Sequence, residues 1–380
     1  MLDSHPAGYS LSAVKGGEKV QVVYREFLSS EDGDVFISRL EGFPAQIVEK
    51  LPASAGVKCS TIDHLFVIVR KDGECTVFTN ELSTIAKVRI RRAFKVGEPV
   101  FESDMVDIDE IKFEGVEVPD EAGVFVVFSK GWRKGLFYDL GPLQPEPVYR
   151  DYDLWRQLGS LYNYLWFQDF FKITDEEYTK LFSAKWFPFL GLRTETARGL
   201  VEHVRNGWNP DDLLPDIVKE VEAFLPSALE RWKSHLVIIP HCKLIERAVE
   251  RFLDKDYVSC NSILYPRIEG ILREISSHTG GAYKQDTLAE AAMKAFGRSA
   301  EVHSRILPAR FRDYLETVYF ENFDPNNVSA ISRNTVAHGV APQALFNEKA
   351  ASIALLIIEQ IFFHLPDRGS NSEHDQKPGI

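Results

Sequence analysis

Three prolines within seven residues divide this chain of 380 residues into two parts, in the segment Gly141-Pro142-Leu143-Gln144-Pro145-Glu146-Pro147. Proline fixes φ and lacks a backbone N–H, so such a segment continues neither a helix nor a central strand. The hydrophobic pattern changes here from short runs of β-branched and aromatic residues to a helical period. The sequence therefore predicts an α+β chain with a β-rich N-terminal part and a helical C-terminal part.

Short strands separated by turn signals are predicted between about residues 18 and 140. The clearest runs are Val20-Gln21-Val22-Val23-Tyr24, Val35-Phe36-Ile37, Leu65-Phe66-Val67-Ile68-Val69 and Val88-Arg89-Ile90-Arg91. Asp72-Gly73 predicts one hairpin, because glycine tolerates a positive φ, and the loop from Lys130 to Gly135 predicts another. We expect residues 1–145 to form a sandwich or a partly open barrel.

Ten helices are predicted beyond the proline segment, over residues 152–172, 175–186, 194–206, 211–224, 227–254, 256–277, 286–297, 303–320, 327–338 and 343–365. We group them as a helical connector (146–232) and a C-terminal bundle (233–365), followed by a loose polar tail (366–380). The last helix is apolar nearly all round, which is typical of a helix buried in a bundle or at a subunit interface.

Composition places the chain among globular proteins, with 44% hydrophobic and 26% charged residues. No apolar run reaches the roughly 18 uncharged residues that span a bilayer, and no secretory signal pattern begins the sequence. The four cysteines are widely spaced, at Cys59, Cys75, Cys242 and Cys260. This spacing predicts reduced thiols in the cytoplasm rather than disulfides or a metal site, and we expect no cofactor.

The formal net charge of −12 argues against broad, charge-driven binding to nucleic acid. The acidity is not evenly spread. Between residues 233 and 365, Lys and Arg balance Asp and Glu with fifteen of each. A local phosphate site therefore remains possible in the helical bundle, whereas a large basic groove does not.

One short motif precedes the last helix, Arg333-Asn334-Thr335-Val336-Ala337-His338-Gly339. An arginine can hold phosphate oxygens by bidentate hydrogen bonds, and a histidine can move a proton near neutral pH. Asn334 adds a neutral donor and acceptor, and Gly339 is a natural residue to follow the end of a helix. These residue types suit phosphodiester chemistry.

The spacing of this motif is weak evidence when taken alone. Arg-x4-His occurs four times in the chain, as Arg198/His203, Arg273/His278, Arg298/His303 and Arg333/His338. At least one occurrence is therefore accidental. The flanking asparagine and glycine and the apolar helix that follows favour Arg333/His338.

In this context residues 233–365 resemble a HEPN domain, a small all-α bundle found in bacterial toxin and antiviral systems. Arg333-Asn334-x-x-x-His338 matches the Arg-x(4–6)-His signature of that family. The stretch Leu264-Tyr265-Pro266-Arg267-Ile268-Glu269-Gly270-Ile271-Leu272-Arg273 resembles the second-helix pattern of some bacterial members. The resemblance implies a metal-independent endoribonuclease of toxin or phage-defence type, with RNA as substrate and Arg333, Asn334 and His338 as catalytic residues.

Helix geometry constrains the predicted site. Residues five apart on a regular helix are about 140° apart around its axis, so Arg333 and His338 do not share a face unless the helix ends between them. A two-fold homodimer would bring two copies of each into one cleft, and the family resemblance implies the same arrangement. Glu269 and Arg273 are four apart, and either support this site or form an ordinary ion pair.

Other interpretations remain open. Arg333 could cap helix carbonyls, and His338 could be a histidine stabilised at a helix C-terminus. The bundle would then be a catalytically inactive dimerisation or interaction module, as in HEPN members that have lost the motif. It could also be a nucleotide-binding regulator working with a separate nucleotidyltransferase. In each case the N-terminal domain would sense a protein or small-molecule trigger.

Overall fold

The computed structural model describes residues 2, 4–52, 63–80, 82–278, 284–295, 303–321 and 332–365. Its N-terminal region is rich in strands and its C-terminal region is helical, which confirms the predicted α+β class. The chain divides into two compact units. The first unit comprises Met1–Arg89 and Ile108–Gln168, and the second comprises Ile90–Asp107 and Asp169–Ile380.

The described residues form nine strands, named in chain order. They are β1 (Tyr9–Ser10), β2 (Val22–Val23), β3 (Arg25–Ser29), β4 (His64–Val69), β5 (Cys75–Thr79), β6 (Thr84–Ile90), β7 (Met105–Phe113), β8 (Gly123–Lys130) and β9 (Arg133–Asp139). The largest sheet is antiparallel with the order β3-β9-β8-β4-β5, beside two-stranded sheets β1-β2 and β6-β7. Both predicted hairpins are confirmed, with positive φ at Gly73 and Gly131.

Both faces of the five-stranded sheet are covered. Two helices, α1 (Asp34–Glu41) and α2 (Phe43–Glu49), share a hydrophobic core with one face. On the other face, Phe66 packs against Phe113 and Trp155, and Phe128 stacks on Tyr162. The sheet is therefore an open layer with β3 and β5 at its edges, rather than the sandwich or barrel that was expected.

Residues Val35 to Ile37, predicted as a strand, lie inside α1. Their β-branched side chains point to solvent, whereas Phe36 and Leu40 are buried. A separation of four residues between buried positions is helical, and the tertiary contact of this face outweighs the β propensity of valine and isoleucine.

The remaining helices follow the proline segment. They are α3 (Leu154–Phe171), α4 (Asp175–Ser183), α5 (Thr194–Asn206), α6 (Leu214–Trp232), α7 (Cys242–Leu253), α8 (Tyr257–His278), α9 (Gln285–Ala295), α10 (Pro308–Tyr314), α11 (Arg333–Ala337) and α12 (Glu348–His364). In the helix predicted over 327–338, residues 327–331 lie outside the described part. The tail predicted at 366–380 lies outside it as well.

The break predicted between the helices 211–224 and 227–254 falls elsewhere. Helix α6 continues through Pro226, which lies in that gap. Buried residues recur along α6 at Val221, Leu225, Ala228 and Trp232, which is an unbroken helical stripe. Pro226 lies on the exposed side, where solvent can hydrogen-bond the carbonyl that has lost its partner. The helices separate instead over residues 233–241.

The segment 146–232, predicted as a connector, is divided between the two units. The division falls within α3, where Phe167 has non-helical torsion angles of φ −119° and ψ 25°. The next helices belong to the second unit because they pack with its bundle: Arg231 and Trp232 of α6 both donate hydrogen bonds to Glu359 of α12.

Helix α12 is buried within its own chain, which decides between the two environments considered for it. Within this helix, the buried Glu359 accepts a hydrogen bond of 2.8 Å from Trp232 Nε1 and forms an ion pair with Arg231. Burial raises the pKa of Glu359, although the charge of Arg231 opposes this. Gln360 accepts a hydrogen bond of 2.9 Å from the backbone N–H of Leu190. In the described part of the chain, no helix has both the length and the apolar character to cross a membrane.

Shortening a side chain of α12 should destabilise the second unit. Ile361 is 0% exposed, so Ile361→Ala is expected to lower the free energy of unfolding by about 2–5 kcal/mol. Ile239 is 45% exposed, and Ile239→Ala should change it by about 0.5 kcal/mol or less. Urea unfolding followed by circular dichroism measures both. Equal effects of the two substitutions would contradict the burial of α12.

Candidate functional site

Helix α11 carries the predicted motif and is capped at both ends. The Ser332 hydroxyl accepts a 3.2 Å hydrogen bond from the Thr335 N–H, and the Thr335 hydroxyl accepts a 2.8 Å bond from the Ser332 N–H. At the other end Gly339 has φ +66°, as expected for it. The N–H groups of Gly339 and Val340 donate to the carbonyls of Val336 and Thr335, each at 3.1 Å. These caps limit α11 to five residues.

The caps place the two motif residues at opposite ends of this helix. Arg333 is its first residue and is partly exposed. His338 follows its last residue and is exposed. The helix therefore ends between them.

The carboxylate of Glu269 in α8 holds Arg333. One oxygen accepts a hydrogen bond from Arg333 Nε, and the other accepts bonds from Arg273 Nε at 2.8 Å and Nη2 at 2.7 Å. Burial raises the pKa of Glu269, but the hydrogen bonds from Arg333 and Arg273 outweigh it and hold the pKa below its ordinary value. Glu269 is thus an ionised carboxylate shared by two arginines, which goes beyond an ordinary i,i+4 pair.

Asn334 is buried and positions Arg333 from the other side. Its Oδ1 accepts hydrogen bonds from Arg333 Nη1 at 3.0 Å and from Gln285 Nε2 at 2.9 Å. Its Nδ2 donates to the carbonyls of Phe320 at 3.2 Å and Glu321 at 3.0 Å. The side chain therefore ties α11 to its neighbours and orients the guanidinium.

A pocket of about 250 Å³ lies beside these groups, between α8 and α11. Its lining consists of Pro266, Arg267, Glu269, Gly270 and Arg273 from α8, and Arg333 and Ala337 from α11. Three guanidinium groups and one carboxylate surround this space, so the local charge is positive. Such a pocket suits an anion with several acceptor oxygens. Of the motif pair, Arg333 lines it and His338 does not.

Sequence reasoning missed a second histidine near this pocket, His241. A Cβ atom placed on Gly270 would lie 2.8 Å from His241 Cε1, so the imidazole packs directly on the glycine. Burial and then the charge of Arg267 lower the pKa of His241, while Glu274 opposes them. A glycine inside a helix is unfavourable by about 1 kcal/mol relative to alanine. The presence of Gly270 within a predicted helix was therefore the sequence signal for a close contact at this position.

The other three Arg-x4-His pairs have different outcomes. In Arg198/His203, the arginine pairs with Asp169 and the histidine ring bonds to the Gly199 carbonyl. Arg273 belongs to the site through Glu269, whereas the side chain of His278 lies outside the described part. Arg298 also lies outside it. His303 packs edge-on against Phe171, and burial lowers its pKa to about 4.

Comparison of the chain with protein-family models, curated proteins and solved structures finds no match. The resemblance to HEPN domains stays a prediction from the residues quoted above. Within the described residues, no group of three or more His, Cys, Asp or Glu side chains is arranged to hold a metal ion.

Removing the charge of Glu269 should destabilise the protein in a pH-dependent way. Because its folded pKa lies below the ordinary value of 4.5, its contribution is present above pH 4.5 and is lost as the pH falls through the folded pKa. Glu269→Gln is therefore expected to lower the free energy of unfolding at pH 7 by about 1–3 kcal/mol, and less in acid.

The measurement is urea unfolding of both proteins from pH 7 down to pH 3. Glu250→Gln is the control, because Glu250 forms a surface pair with Arg247 and its side chain is 52% exposed. A difference for Glu269→Gln that stayed constant with pH would contradict the role of its charge.

Proposed function

We propose that this protein is a metal-independent endoribonuclease of toxin or phage-defence type that acts in the cytoplasm. One observation carries the proposal. Glu269 and Asn334 hold the Arg333 guanidinium at a pocket lined by two further arginines. The helix that begins at Arg333 ends next to an exposed histidine, His338. The strand-rich first unit would sense a trigger or restrain activity, a role proposed from architecture alone.

In the proposed reaction, His338 takes the proton of an RNA 2′-hydroxyl, and the 2′-oxygen attacks the adjacent phosphorus. The bond from phosphorus to the 5′-oxygen breaks, and that oxygen takes a proton from water, while the protonated His338 releases its proton to solvent. The products are a 2′,3′-cyclic phosphate and a 5′-hydroxyl. Arg333 stabilises the negative charge that develops on the phosphorane oxygens, and Asn334 keeps its guanidinium oriented. DNA lacks the 2′-hydroxyl and should resist cleavage.

The His338 that acts beside each Arg333 comes from a second copy of the chain in this proposal. Arg333 lines the pocket and His338 does not, so one chain offers only half of the catalytic pair at this place. A two-fold axis beside α11 would place the Arg333 of one protomer near the His338 of its partner. The homodimer is therefore part of the proposed active site.

A specific observation also favours a second function, a catalytically inactive interaction module. All the hydrogen bonds of Asn334, and two of the nitrogens of Arg333, are directed to groups within the chain. These bonds would be sufficient to explain both residues as a link between α8 and α11. A nucleotide-binding regulator is the third candidate, because the arginines of the pocket suit the phosphate of a nucleotide as well as that of RNA.

Replacing His338 should separate these functions. In EDTA, the wild-type protein is expected to cleave total RNA, and His338→Ala should be slower by about 100-fold or more because the proton transfer is lost. His203→Ala is the matched control: its ring bonds to the Gly199 carbonyl on α5 and it lies outside the pocket. Gel analysis of RNA fragments measures the rates. Equal rates for His338→Ala and the wild type would reject His338 as a catalytic residue.

Mixing two inactive variants tests the composite site. A heterodimer of Arg333→Ala and His338→Ala retains one wild-type Arg–His pair if each site takes its arginine from one protomer and its histidine from the other. Random mixing should then restore about a quarter of the wild-type rate, because half of the dimers are mixed and each has one of two sites intact. The readout is RNA cleavage after the two variants are denatured and refolded together. A mixture as inactive as its components would argue for a site within one chain.

A further inference from the structure

The charges around the pocket between α8 and α11 are not balanced. Arg333 and Arg273 share the single carboxylate of Glu269. Arg267 also lines the pocket, and no described carboxylate lies within ion-pair distance of it. The residues that line this space of about 250 Å³ therefore include three with a positive charge and one with a negative charge.

The donors of two of these arginines are available. Arg333 uses Nε for Glu269 and Nη1 for Asn334, and no described group accepts a hydrogen bond from its Nη2. Arg267 is half-buried, and among the described residues none accepts a hydrogen bond from its guanidinium. A planar guanidinium with unused N–H groups is suited to bidentate contact with an oxyanion.

A histidine from outside α8 packs near Arg267. The ring of His241 packs on Gly270, and no side chain larger than a hydrogen fits between them. The imidazole Nε2 is buried with no hydrogen-bond partner in the described part.

We propose that this pocket binds a phosphate group, with Arg267 as a contact residue together with Arg333. A phosphate carries up to two negative charges and several acceptor oxygens, which match the excess charge and the unused donors. The phosphate of an RNA strand is the source that follows if the proposed ribonuclease function holds. A free nucleotide would supply the same chemistry. Arg267 and Arg333 then hold the same phosphate, and Arg267 helps to set the position of the strand.

Binding measurements with an RNA that cannot be cleaved test this proposal independently of catalysis. The two probes are a short fluorescent RNA with 2′-O-methyl groups at every position and fluorescent AMP, followed by anisotropy at several salt concentrations. Arg267→Ala is expected to weaken RNA binding by about tenfold. It should also make the plot of log K against log salt concentration less steep by about 0.7, the value for one phosphate contact on a single strand.

The matched control is Arg251→Ala, because Arg251 pairs with Asp254 on α7 and does not line the pocket. It should bind both probes as the wild type does. Thermal unfolding establishes that both variants are folded. A loss that affects only AMP in Arg267→Ala still supports the phosphate site and identifies a nucleotide as its ligand.

Two outcomes would overturn the proposal. One is Arg267→Ala binding both probes with wild-type affinity and salt dependence. The other is Arg251→Ala losing as much affinity as Arg267→Ala, which would indicate general surface charge. Because neither probe can be cleaved, this binding test gives an answer even if the protein is not a ribonuclease. In the same way, a negative result for Arg267 does not decide the outcome of the cleavage test with His338→Ala.

Discussion

The burial of helix α12 is the constraint on which the second unit depends. Nearly every side chain of this helix is buried, so its polar groups must find partners inside the protein. Glu359 therefore fixes α6 through Arg231 and Trp232, and Gln360 fixes the backbone at Leu190. Helix α8 also packs against α12. The same helix supplies Arg267, Glu269 and Arg273 to the pocket. The site thus stands on a rigid helix rather than on a loop.

The carboxylate of Glu269 has a similar role at the scale of the site. A buried carboxylate is unfavourable unless it is paired and hydrogen-bonded, and here two arginines meet that requirement. The same bonds hold the Arg333 guanidinium in one orientation before any ligand arrives. Such preorganisation matters for the proposed chemistry, since a donor that is already aimed at the developing charge needs no rearrangement in the transition state. Asn334, buried behind Arg333, adds a second support that its position in the motif alone does not reveal.

Local patterns in the sequence predicted local structure well. The hairpins at Gly73 and Gly131, the end of α11 at Gly339 and the helix Thr194–Asn206 follow from turn chemistry and periodicity. Predictions were wrong where tertiary contacts decide. The strand predicted at Val35–Ile37 is helical because Phe36 packs on the sheet. For the site, periodicity indicated that Glu269 and Arg273 share a helix face, but it could not show that α11 meets that face. The same limit hid His241, which reaches Gly270 from a turn far away in the sequence.

The contrast between local and overall charge bears on which nucleic acids the proposed site could accept. The whole chain has a formal charge of −12, so a long phosphate backbone laid across its surface would be repelled. The pocket reverses this sign only over the few ångströms between α8 and α11. A stiff duplex presents its phosphates along a long rod and cannot bend to bring a single one into so small a space. A flexible single strand can bend there and insert one or two phosphates, since its unpaired backbone deforms at little cost. For the proposed ribonuclease, the charge distribution therefore favours unpaired RNA, recognised through few contacts and with a correspondingly shallow dependence on salt.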